Sequence, residues 1–172
     1  MKVLVVVDMQ NDFIDGALGT PEAVAIVPAV AEKIRGFDGP VFFTRDTHSA
    51  DYLSTQEGRA LPIPHCIRDT PGWQLHPDLA PLVGDAPVID KPTFGSVELA
   101  RAIRELNARE PIDSITLVGL CTDICVISNA LLLKAVLPEV PILVDSACCA
   151  GVSPESHQRA LESMRTCQIK VI

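Results

Sequence analysis

The chain has few aromatic residues, no excess of positive charge and no long apolar run. Its aromatics are five phenylalanines, one tryptophan and one tyrosine. Fourteen Lys and Arg stand against 22 Asp and Glu, which gives a formal net charge of −8. The basic residues form no patch, so nucleic acid is not an expected partner. The N-terminal apolar run, Val3 to Val7, ends at Asp8, far short of a secretory segment or a spanning helix. We therefore expect a soluble, cytoplasmic protein without a membrane partner.

The sequence also lacks any CxxC pair, although it holds six cysteines. The adjacent Cys148 and Cys149 are poorly placed for an ordinary disulfide. With 172 residues, of which 48% are apolar, the chain can bury a sizeable core without cross-links. We expect the thiols to be reduced, and most of them to be small buried apolar groups.

Apolar runs rich in β-branched residues alternate along the chain with stretches of helical periodicity. The predicted strands are Val3 to Val7, Val41 to Thr44, Val88 to Ile89, Ser114 to Val118, Ile142 to Val144 and Ile169 to Ile172. The predicted helices are Pro21 to Arg35, Ser96 to Ala108, Asp123 to Leu137 and Ser153 to Thr166. Strands that are apolar almost throughout are typical of a parallel sheet covered on both faces. The sequence therefore predicts an α/β fold in one domain over residues 1–172, a three-layer α/β/α sandwich with a mostly parallel six-stranded sheet of Rossmann-like order.

Polar side chains follow the ends of five predicted strands. In chain order they are Asp8, then Thr44 to Asp46, then Asp90 and Lys91, then the turn from Gly119 to Cys125, then Asp145 and Ser146. Because ligands of an open parallel sheet bind outside the carboxyl ends of its strands, we expect these groups to face one crevice. The segment from Thr47 to Gly84 has no clear periodicity, and its length indicates a functional loop.

Cys125 differs from the other thiols because it falls in the first turn of a predicted helix, directly after a strand. There the helix dipole and free backbone N–H groups favour a thiolate with a lowered pKa, and the same N–H groups can hold an oxyanion. Asp8 and Lys91 can supply a proton acceptor and a charge partner, whereas the four histidines lie at no obvious strand end. We interpret Cys125 as a nucleophile with these two partners. Taken alone, Asp8 could instead be half of a structural ion pair.

These residues lie in motifs that resemble the isochorismatase-like cysteine hydrolases, a family that includes the nicotinamidases. The matching segments are Val5 to Phe13, Thr44 to His48, Lys91 to Phe94, Thr122 to Val126 and Asp145 to Cys148. The resemblance implies that Asp8, Lys91 and Cys125 form a catalytic triad acting through a thioester acyl-enzyme, with Asp8 as general base and later acid. It also implies a cis peptide at Leu120-Cys121 and an oxyanion hole formed by the backbone N–H groups of Cys121 and Cys125.

A candidate metal site begins at the end of the second strand and continues into the unpatterned segment. Asp46, His48 and His65 offer one carboxylate and two imidazoles, a suitable set for zinc or for another divalent ion such as iron or manganese. In the nicotinamidases, the residues that match these three are metal ligands. The resemblance therefore favours an amidase that converts nicotinamide to nicotinate and ammonia, with the pyridine nitrogen at the metal and the carboxamide at Cys125.

The predicted substrate-binding residues are Phe13, Trp73, Phe94 and Leu120. The three aromatics fall in loops around the crevice, where they could stack against a flat ring. Packing beneath the long loop is an equally good interpretation of Trp73. Asp69 and Trp73 depart from the nicotinamidase pattern, which often has glycine and a small residue there, and could reshape the pocket. The expected partners are a small-molecule amide and further copies of the chain in a homo-oligomer.

Three alternatives stay open. The enzyme could act on another small amide or on a carbamoyl substrate. A phosphohydrolase would use Asp8, Thr44 and Lys91 in the same order, but it needs a second acid where this chain has Gln10. A protein that binds a small ligand without turnover would also fit the fold, although all three triad residues are present.

Overall fold

The computed structural model describes residues 1–172 and contains one six-stranded sheet. Its strands are β1 (Lys2–Val7), β2 (Val41–Asp46), β3 (Val88–Lys91), β4 (Ser114–Leu120), β5 (Ile142–Ala150) and β6 (Lys170–Val171). They lie in the order β3-β2-β1-β4-β5-β6, and every neighbouring pair is parallel. The predicted six-stranded α/β sheet is confirmed, and it is parallel throughout. The strand order reverses between β1 and β4, which is where open α/β sheets bind ligands.

Six α-helices accompany the strands. They are α1 (Asn11–Ile14), α2 (Pro21–Arg35), α3 (Gln56–Ala60), α4 (Val97–Arg109), α5 (Ile127–Val136) and α6 (Pro154–Thr166). The side chains of Thr20, Ser96 and Ser153 accept backbone N–H bonds at the starts of α2, α4 and α6, at 3.0, 3.1 and 3.2 Å. These caps satisfy N–H groups that a helix start leaves unpaired. None of the helices combines the length and the apolar character that crossing a membrane requires.

Apolar side chains cover both faces of the sheet, as the central strand β1 shows. Val3, Val5 and Val7 pack into one core with residues of α4, α5 and α6. Leu4 and Val6 pack into a second core with residues of α2. Because successive residues of a strand point to opposite faces, this alternation places helices on both sides of the sheet. The result is the predicted three-layer arrangement.

Strand β5 is longer than the sequence predicts. The apolar run ends at Val144, but the strand continues to Ala150. Within this extension, the Asp145 carboxylate lies 2.5 Å from the ammonium of Lys33, and the Ser146 hydroxyl donates to the carbonyl of Ile172 at 2.8 Å. These partners satisfy polar groups inside the strand. The expectation that Asp145 and Ser146 mark the strand end and face the crevice is therefore wrong.

The segment between β2 and β3 holds only short elements, namely α3 and the 3-10 turns Tyr52–Ser54, Pro71–Trp73 and Ala80–Leu82. Gln10 ties this segment to the sheet, because its side-chain amide donates to the carbonyls of Asp46 and Trp73 at 2.8 and 2.9 Å. An antiparallel bridge between Gln10, just after β1, and Leu75 adds a second tie. The segment is thus held against the carboxyl ends of the central strands.

Candidate active site

The structure brings Asp8, Lys91 and Cys125 together at the carboxyl ends of β1, β3 and β4. The Lys91 ammonium lies 2.7 Å from Asp8 Oδ2 and 3.4 Å from Cys125 Sγ. All three side chains are buried. Lysine therefore bridges a carboxylate and a thiol in a site with little access to bulk water, where charges interact strongly.

The turn that carries Cys125 depends on a close approach of β4 to β1. Gly119 adopts φ +115°, and a Cβ added there would lie 2.1 Å from the Val7 carbonyl oxygen. Only glycine fits this position. The Leu120-Cys121 peptide that follows is cis, as the family resemblance implies. A single π-helical turn, Thr122–Val126, then precedes α5, and Cys125 is its fourth residue.

The backbone around Cys121 leaves a hydrogen-bond donor free. The Cys121 carbonyl accepts N–H bonds from Ile124 and Val126 at 3.1 and 3.0 Å, whereas the Cys121 N–H donates to no acceptor within the chain. Cys121 and Cys125 both line the cavity described below. An unpaired N–H at the wall of a cavity beside a nucleophile can stabilise an oxyanion.

Burial determines how the site ionises. It raises the pKa of the Cys125 thiol well above its ordinary value, and the Asp8 carboxylate adds to that rise while Lys91 opposes it. Burial also raises the pKa of Asp8, against the pull of Lys91. For Lys91, burial alone would lower the pKa, but the charges of Asp8, Cys125 and Asp46 raise it, so the ammonium is retained. The expectation of a thiolate with a lowered pKa is therefore wrong. The site holds a neutral thiol beside a carboxylate that is more basic than an ordinary aspartate.

The two oxygens of Asp8 have different surroundings. Oδ1 accepts a hydrogen bond from the Thr44 hydroxyl at 2.6 Å. Oδ2 faces Lys91 but accepts no well-aligned hydrogen bond, although it is fully buried. Cys125 is close enough to this carboxylate for the presence of Asp8 to raise the pKa of the thiol. Asp8 is thus oriented by Thr44 and keeps a lone pair available for a proton.

A second polar cluster adjoins the first. Asp46, His48, Glu57 and His65 each direct one ligand atom to a common point, and these four atoms all lie within 4.8 Å of one another. His48 Nε2 lies 2.9 Å from Asp46 Oδ2, and His65 Nε2 lies 3.7 Å from the same oxygen. His65 Nδ1 is bonded to the carbonyl of Ile63 at 2.8 Å, which turns its Nε2 inward.

This cluster fits a divalent metal ion. Two imidazoles and two carboxylates are ligands that zinc, iron and manganese accept, and a hydrogen bond on the outer nitrogen of a ligating histidine is usual. Burial alone would raise the pKa of Asp46, but the hydrogen bonds of His48 and His65 and the charge of Lys91 lower it below its ordinary value. The Asp46 carboxylate is therefore ionised, as a metal ligand must be. Since Lys91 Nζ is also 3.3 Å from Asp46 Oδ1, the lysine links this cluster to Cys125.

Glu57 is the member of this cluster that sequence reasoning missed. It lies in the five-residue helix α3, whose start is capped by the side chain of Thr55 accepting the Gly58 N–H at 2.9 Å. The available signal was an acidic residue just after a threonine cap, within the segment that joins His48 to His65. That signal is weak, because such caps are common at helix starts.

A cavity of about 370 Å³ opens beside both clusters. Its lining includes Asp46, Glu57, His65 and Cys125, together with three of the predicted substrate-binding residues, Phe13, Phe94 and Leu120. The ring centroids of Phe13 and His65 are 5.5 Å apart. The Cys125 thiol, the candidate metal ligands and the apolar walls therefore share one enclosure.

Trp73, the fourth predicted substrate-binding residue, does not line this cavity. Its ring is buried in the core beside α2, its indole N–H donates to the Thr47 hydroxyl at 2.8 Å, and the Arg45 guanidinium lies 3.7 Å from the ring centroid. A buried indole takes an orientation that pairs its N–H, which directs Trp73 away from the crevice. Asp69 is exposed and adopts φ +65°, a conformation that glycine adopts freely and aspartate tolerates. Neither departure from the family pattern reshapes the cavity.

Thr122, next to the free Cys121 N–H, is joined to α6. Its hydroxyl shares a hydrogen bond of 2.7 Å with His157 Nδ1, and Thr122 itself is fully buried. Burial lowers the pKa of His157, although the charge of Asp123 opposes this. His157 is therefore a neutral partner at pH 7, not the solvated surface residue that its place in a helix suggests.

Replacing His157 with alanine should lower the free energy of unfolding by about 1–3 kcal/mol, because the buried Thr122 hydroxyl loses its partner. Urea unfolding measures this change. The His157→Ala/Thr122→Val double variant should regain most of the loss, since both polar groups are then gone. Arg159→Ala, at an exposed position of α6, should leave the unfolding curve in place. A double variant no more stable than His157→Ala would contradict the assignment.

The chain is similar in sequence to known proteins of one family. A family model described as the isochorismatase domain matches residues 2–172. The nicotinamidase/pyrazinamidase of Mycobacterium tuberculosis is 29% identical, in a match that covers 100% of this chain and 98% of that protein. An uncharacterized isochorismatase family protein of Bacillus subtilis is 32% identical, over 93% of this chain and 92% of its own length.

Solved structures give a similar result. The crystal structure of the pyrazinamidase of Pyrococcus horikoshii in complex with zinc has a TM-score of 0.83 and 33% identity, and the match covers 99% of this chain and 98% of that one. The pyrazinamidase/nicotinamidase of Streptococcus mutans has a TM-score of 0.82 and 28% identity, with complete coverage of both chains. The chain is therefore similar to these enzymes over its whole length.

Proposed function

Since the chain belongs to the isochorismatase family, we propose that it is a metal-assisted cysteine amidohydrolase that converts nicotinamide to nicotinate and ammonia. The observation that carries this proposal is the joint position of two clusters on one cavity. Cys125 lines the cavity together with Asp46, Glu57 and His65, and Lys91 contacts both sets. A thiol that attacks a carboxamide and a metal site that recognises a ring nitrogen would suit nicotinamide.

In the first half of the reaction, Asp8 Oδ2 accepts the proton of the Cys125 thiol while Sγ bonds to the carboxamide carbon. The carbonyl π electrons move to oxygen, and the N–H groups of Cys121 and Cys125 hold the resulting oxyanion. The C–N bond then breaks, and the proton on Asp8 passes to the departing nitrogen, which leaves as ammonia. The ring remains as a thioester on Cys125.

In the second half, Asp8 takes a proton from water as the water oxygen bonds to the thioester carbon. The C–S bond breaks, the same proton returns to sulfur, and nicotinic acid leaves with the thiol restored, losing its carboxyl proton to the solvent to give nicotinate. Lys91 stays protonated throughout and stabilises whichever partner carries the negative charge. The raised pKa of Asp8 suits both transfers, because an acid–base group works best when its pKa approaches the working pH.

Asp46, His48, Glu57 and His65 would hold the metal ion, for which we propose zinc, with iron or manganese as alternatives. When bound, the ion supplies a Lewis acid that can accept the pyridine nitrogen and so fix the ring with its carboxamide toward Cys125. Phe13, Phe94 and Leu120 supply apolar walls for the ring. The Gln10 amide, where a phosphohydrolase needs a second acid, is used instead as a clamp on the Asp46 and Trp73 carbonyls.

The test is ammonia release from nicotinamide by the purified full chain, with metal content measured on the same sample. We expect activity with bound zinc, a fall of about 100-fold or more after chelation, and recovery on adding the ion back, since a Lewis acid contributes several kcal/mol. Glu57→Gln should weaken metal affinity by about tenfold or more. Glu105→Gln, at an exposed acid on α4, is the matched control.

Two outcomes would count against the proposal in different ways. Full activity after verified metal removal would refute the role of the metal while leaving the thiol mechanism. Release of ammonia from other small amides, but not from nicotinamide, would refute the substrate. The mechanism of Asp8, Lys91 and Cys125 would stand in that case.

A further inference from the structure

The Cys121 N–H, which the proposed reaction uses as an oxyanion donor, has no hydrogen bond within the chain to fix its direction. On its N-terminal side, Leu120 pairs with Ala150 in the ladder between β4 and β5. On its C-terminal side, the Cys121 carbonyl is held inside the turn by the N–H groups of Ile124 and Val126. The direction of the Cys121 N–H therefore depends on how this turn is attached to the rest of the protein.

Two side chains attach the turn to the connection between β5 and α6. The Thr122 hydroxyl shares a hydrogen bond of 2.7 Å with His157 Nδ1, and Asp123 Oδ1 accepts the Val152 N–H at 3.1 Å. The second bond is exposed, so water can replace it. Thr122 is fully buried, and a buried hydroxyl that loses its partner pays the full cost of desolvation. The bond to His157 is therefore the stronger attachment of the two.

The imidazole that Thr122 contacts is itself held in place by close packing. A Cβ added to Gly151 would lie 2.8 Å from the backbone nitrogen of His157 and 2.9 Å from its Cα. Only a residue without a side chain allows this approach. The first turn of α6 is thus packed directly on the backbone that follows β5, and Gly151 also lines the active-site cavity.

We propose that His157 is a positioning residue for the oxyanion hole. Through the Thr122 hydroxyl it holds the turn so that the Cys121 N–H is directed at the substrate's carbonyl oxygen. His157 does not line the cavity, so it acts without touching the substrate. This inference rests on the proposed function, because it concerns the tetrahedral intermediate of that reaction.

His157→Ala should lower kcat for nicotinamide by about tenfold to 100-fold, since removal of one oxyanion donor costs about 100-fold or more and displacement of a positioned group by about 1 Å can cost as much. The KM should change little, because the donor is needed for the oxygen of the tetrahedral intermediate more than for that of the bound amide. The values of kcat and kcat/KM should therefore fall together. Initial rates of ammonia release over a range of nicotinamide concentrations give both quantities.

Pyridine-3-carbaldehyde distinguishes positioning from a loss of folded protein. Cys125 Sγ bonds to the aldehyde carbon, the carbonyl π electrons move to oxygen, and the thiol proton passes to Asp8. The adduct places its oxygen where the oxyanion of the reaction forms. His157→Ala should raise the inhibition constant of this aldehyde by about tenfold or more, whereas that of 3-methylpyridine, which has the ring but no oxygen, should change by less than about twofold. An unfolded fraction would lower the rate and leave both constants unchanged.

The Thr122→Val variant removes the same hydrogen bond from its other end. Thr122→Val, His157→Ala and the double variant should each lower kcat by about the same factor, because all three lack one shared bond. The double variant should do so although it regains most of the stability that His157→Ala loses. This separates the effect on catalysis from the effect on folding. Arg159→Ala, at an exposed position of α6, is the control and should keep the wild-type kcat.

The failures of the two proposals can be told apart. If the wild type hydrolyses nicotinamide and the double variant keeps kcat within about twofold of it, the role of His157 is refuted and the proposed function stands. An unchanged inhibition constant of the aldehyde in His157→Ala, or single-variant factors that multiply in the double variant, would also refute this role. If the wild type releases no ammonia from nicotinamide, the proposed function fails and the inference fails with it.

Discussion

Replacing Cys125 with alanine should reduce ammonia release from nicotinamide by at least about 10⁴-fold, since removing the nucleophile of such a triad leaves only the contribution of binding and the oxyanion hole. Cys125 is not among the four candidate metal ligands, so metal content should be unchanged. Nicotinate should still bind. Initial rates, metal analysis and product titration on the same preparation would separate a chemical loss from a structural one.

Cys167→Ala is the matched control, because Cys167 is the exposed thiol that lies after α6, outside the cavity. It should retain full activity. Acid quenching of the wild-type reaction should trap a nicotinoyl group on the peptide that contains Cys125, detectable by mass spectrometry. Substantial turnover by Cys125→Ala, or an adduct on a different cysteine, would overturn the assignment of the nucleophile.

Much of the site could be predicted because parallel sheets bring strand ends together. Asp8, Asp46 and Lys91 each lie at or just after the end of an apolar strand, and that position alone directs them to one edge. The structure adds the contacts among them. Lys91, on β3, extends past β2 so that its ammonium lies 2.7 Å from Asp8 Oδ2. The sequence predicted the neighbourhood, but not that one lysine serves both polar clusters.

Residues of the long loop were harder to predict, since no periodicity determines the path of such a segment. Glu57 joins the candidate metal-ligand cluster only because α3 places its carboxylate near His48 and His65. Trp73 has the residue type expected of a ring-stacking wall, but residue type does not determine side-chain direction. The hydrogen bond to Thr47 directs it to the other side of the loop.

The ionisation of Cys125 shows how two physical effects compete at one position. A helix start favours the thiolate, and that argument needs only the sequence. Burial and the adjacent Asp8 carboxylate favour the neutral thiol, and both depend on tertiary packing. The packing effects dominate, so the thiol keeps its proton until attack, which agrees with the general-base role that the family resemblance implies for Asp8.

Replacing Lys91 with methionine should abolish most activity and also lower the free energy of unfolding by about 3–5 kcal/mol, because a buried ion pair broken on one side leaves an uncompensated charge. Asp8 and Asp46 would lose the cation 2.7 and 3.3 Å from their oxygens. Denaturant unfolding of the metal-free protein gives the stability, and ammonia release gives the activity.

The stability deficit of Lys91→Met should shrink as pH falls. Burial already raises the pKa of Asp8 in the native state, and loss of the ammonium raises it further. A carboxyl group with a raised native pKa binds more protons in the folded state than in the unfolded state. Its contribution to the free energy of unfolding therefore falls as pH rises. The deficit should therefore be larger at pH 8 than at pH 5. Adding Asp8→Asn should restore part of the stability at pH 8 without restoring activity, because one of the two carboxylates that lost the cation is then uncharged, while the proton acceptor is also gone. A double variant as unstable as Lys91→Met would show that the lysine supports the fold through packing of its alkyl chain instead of through its charge.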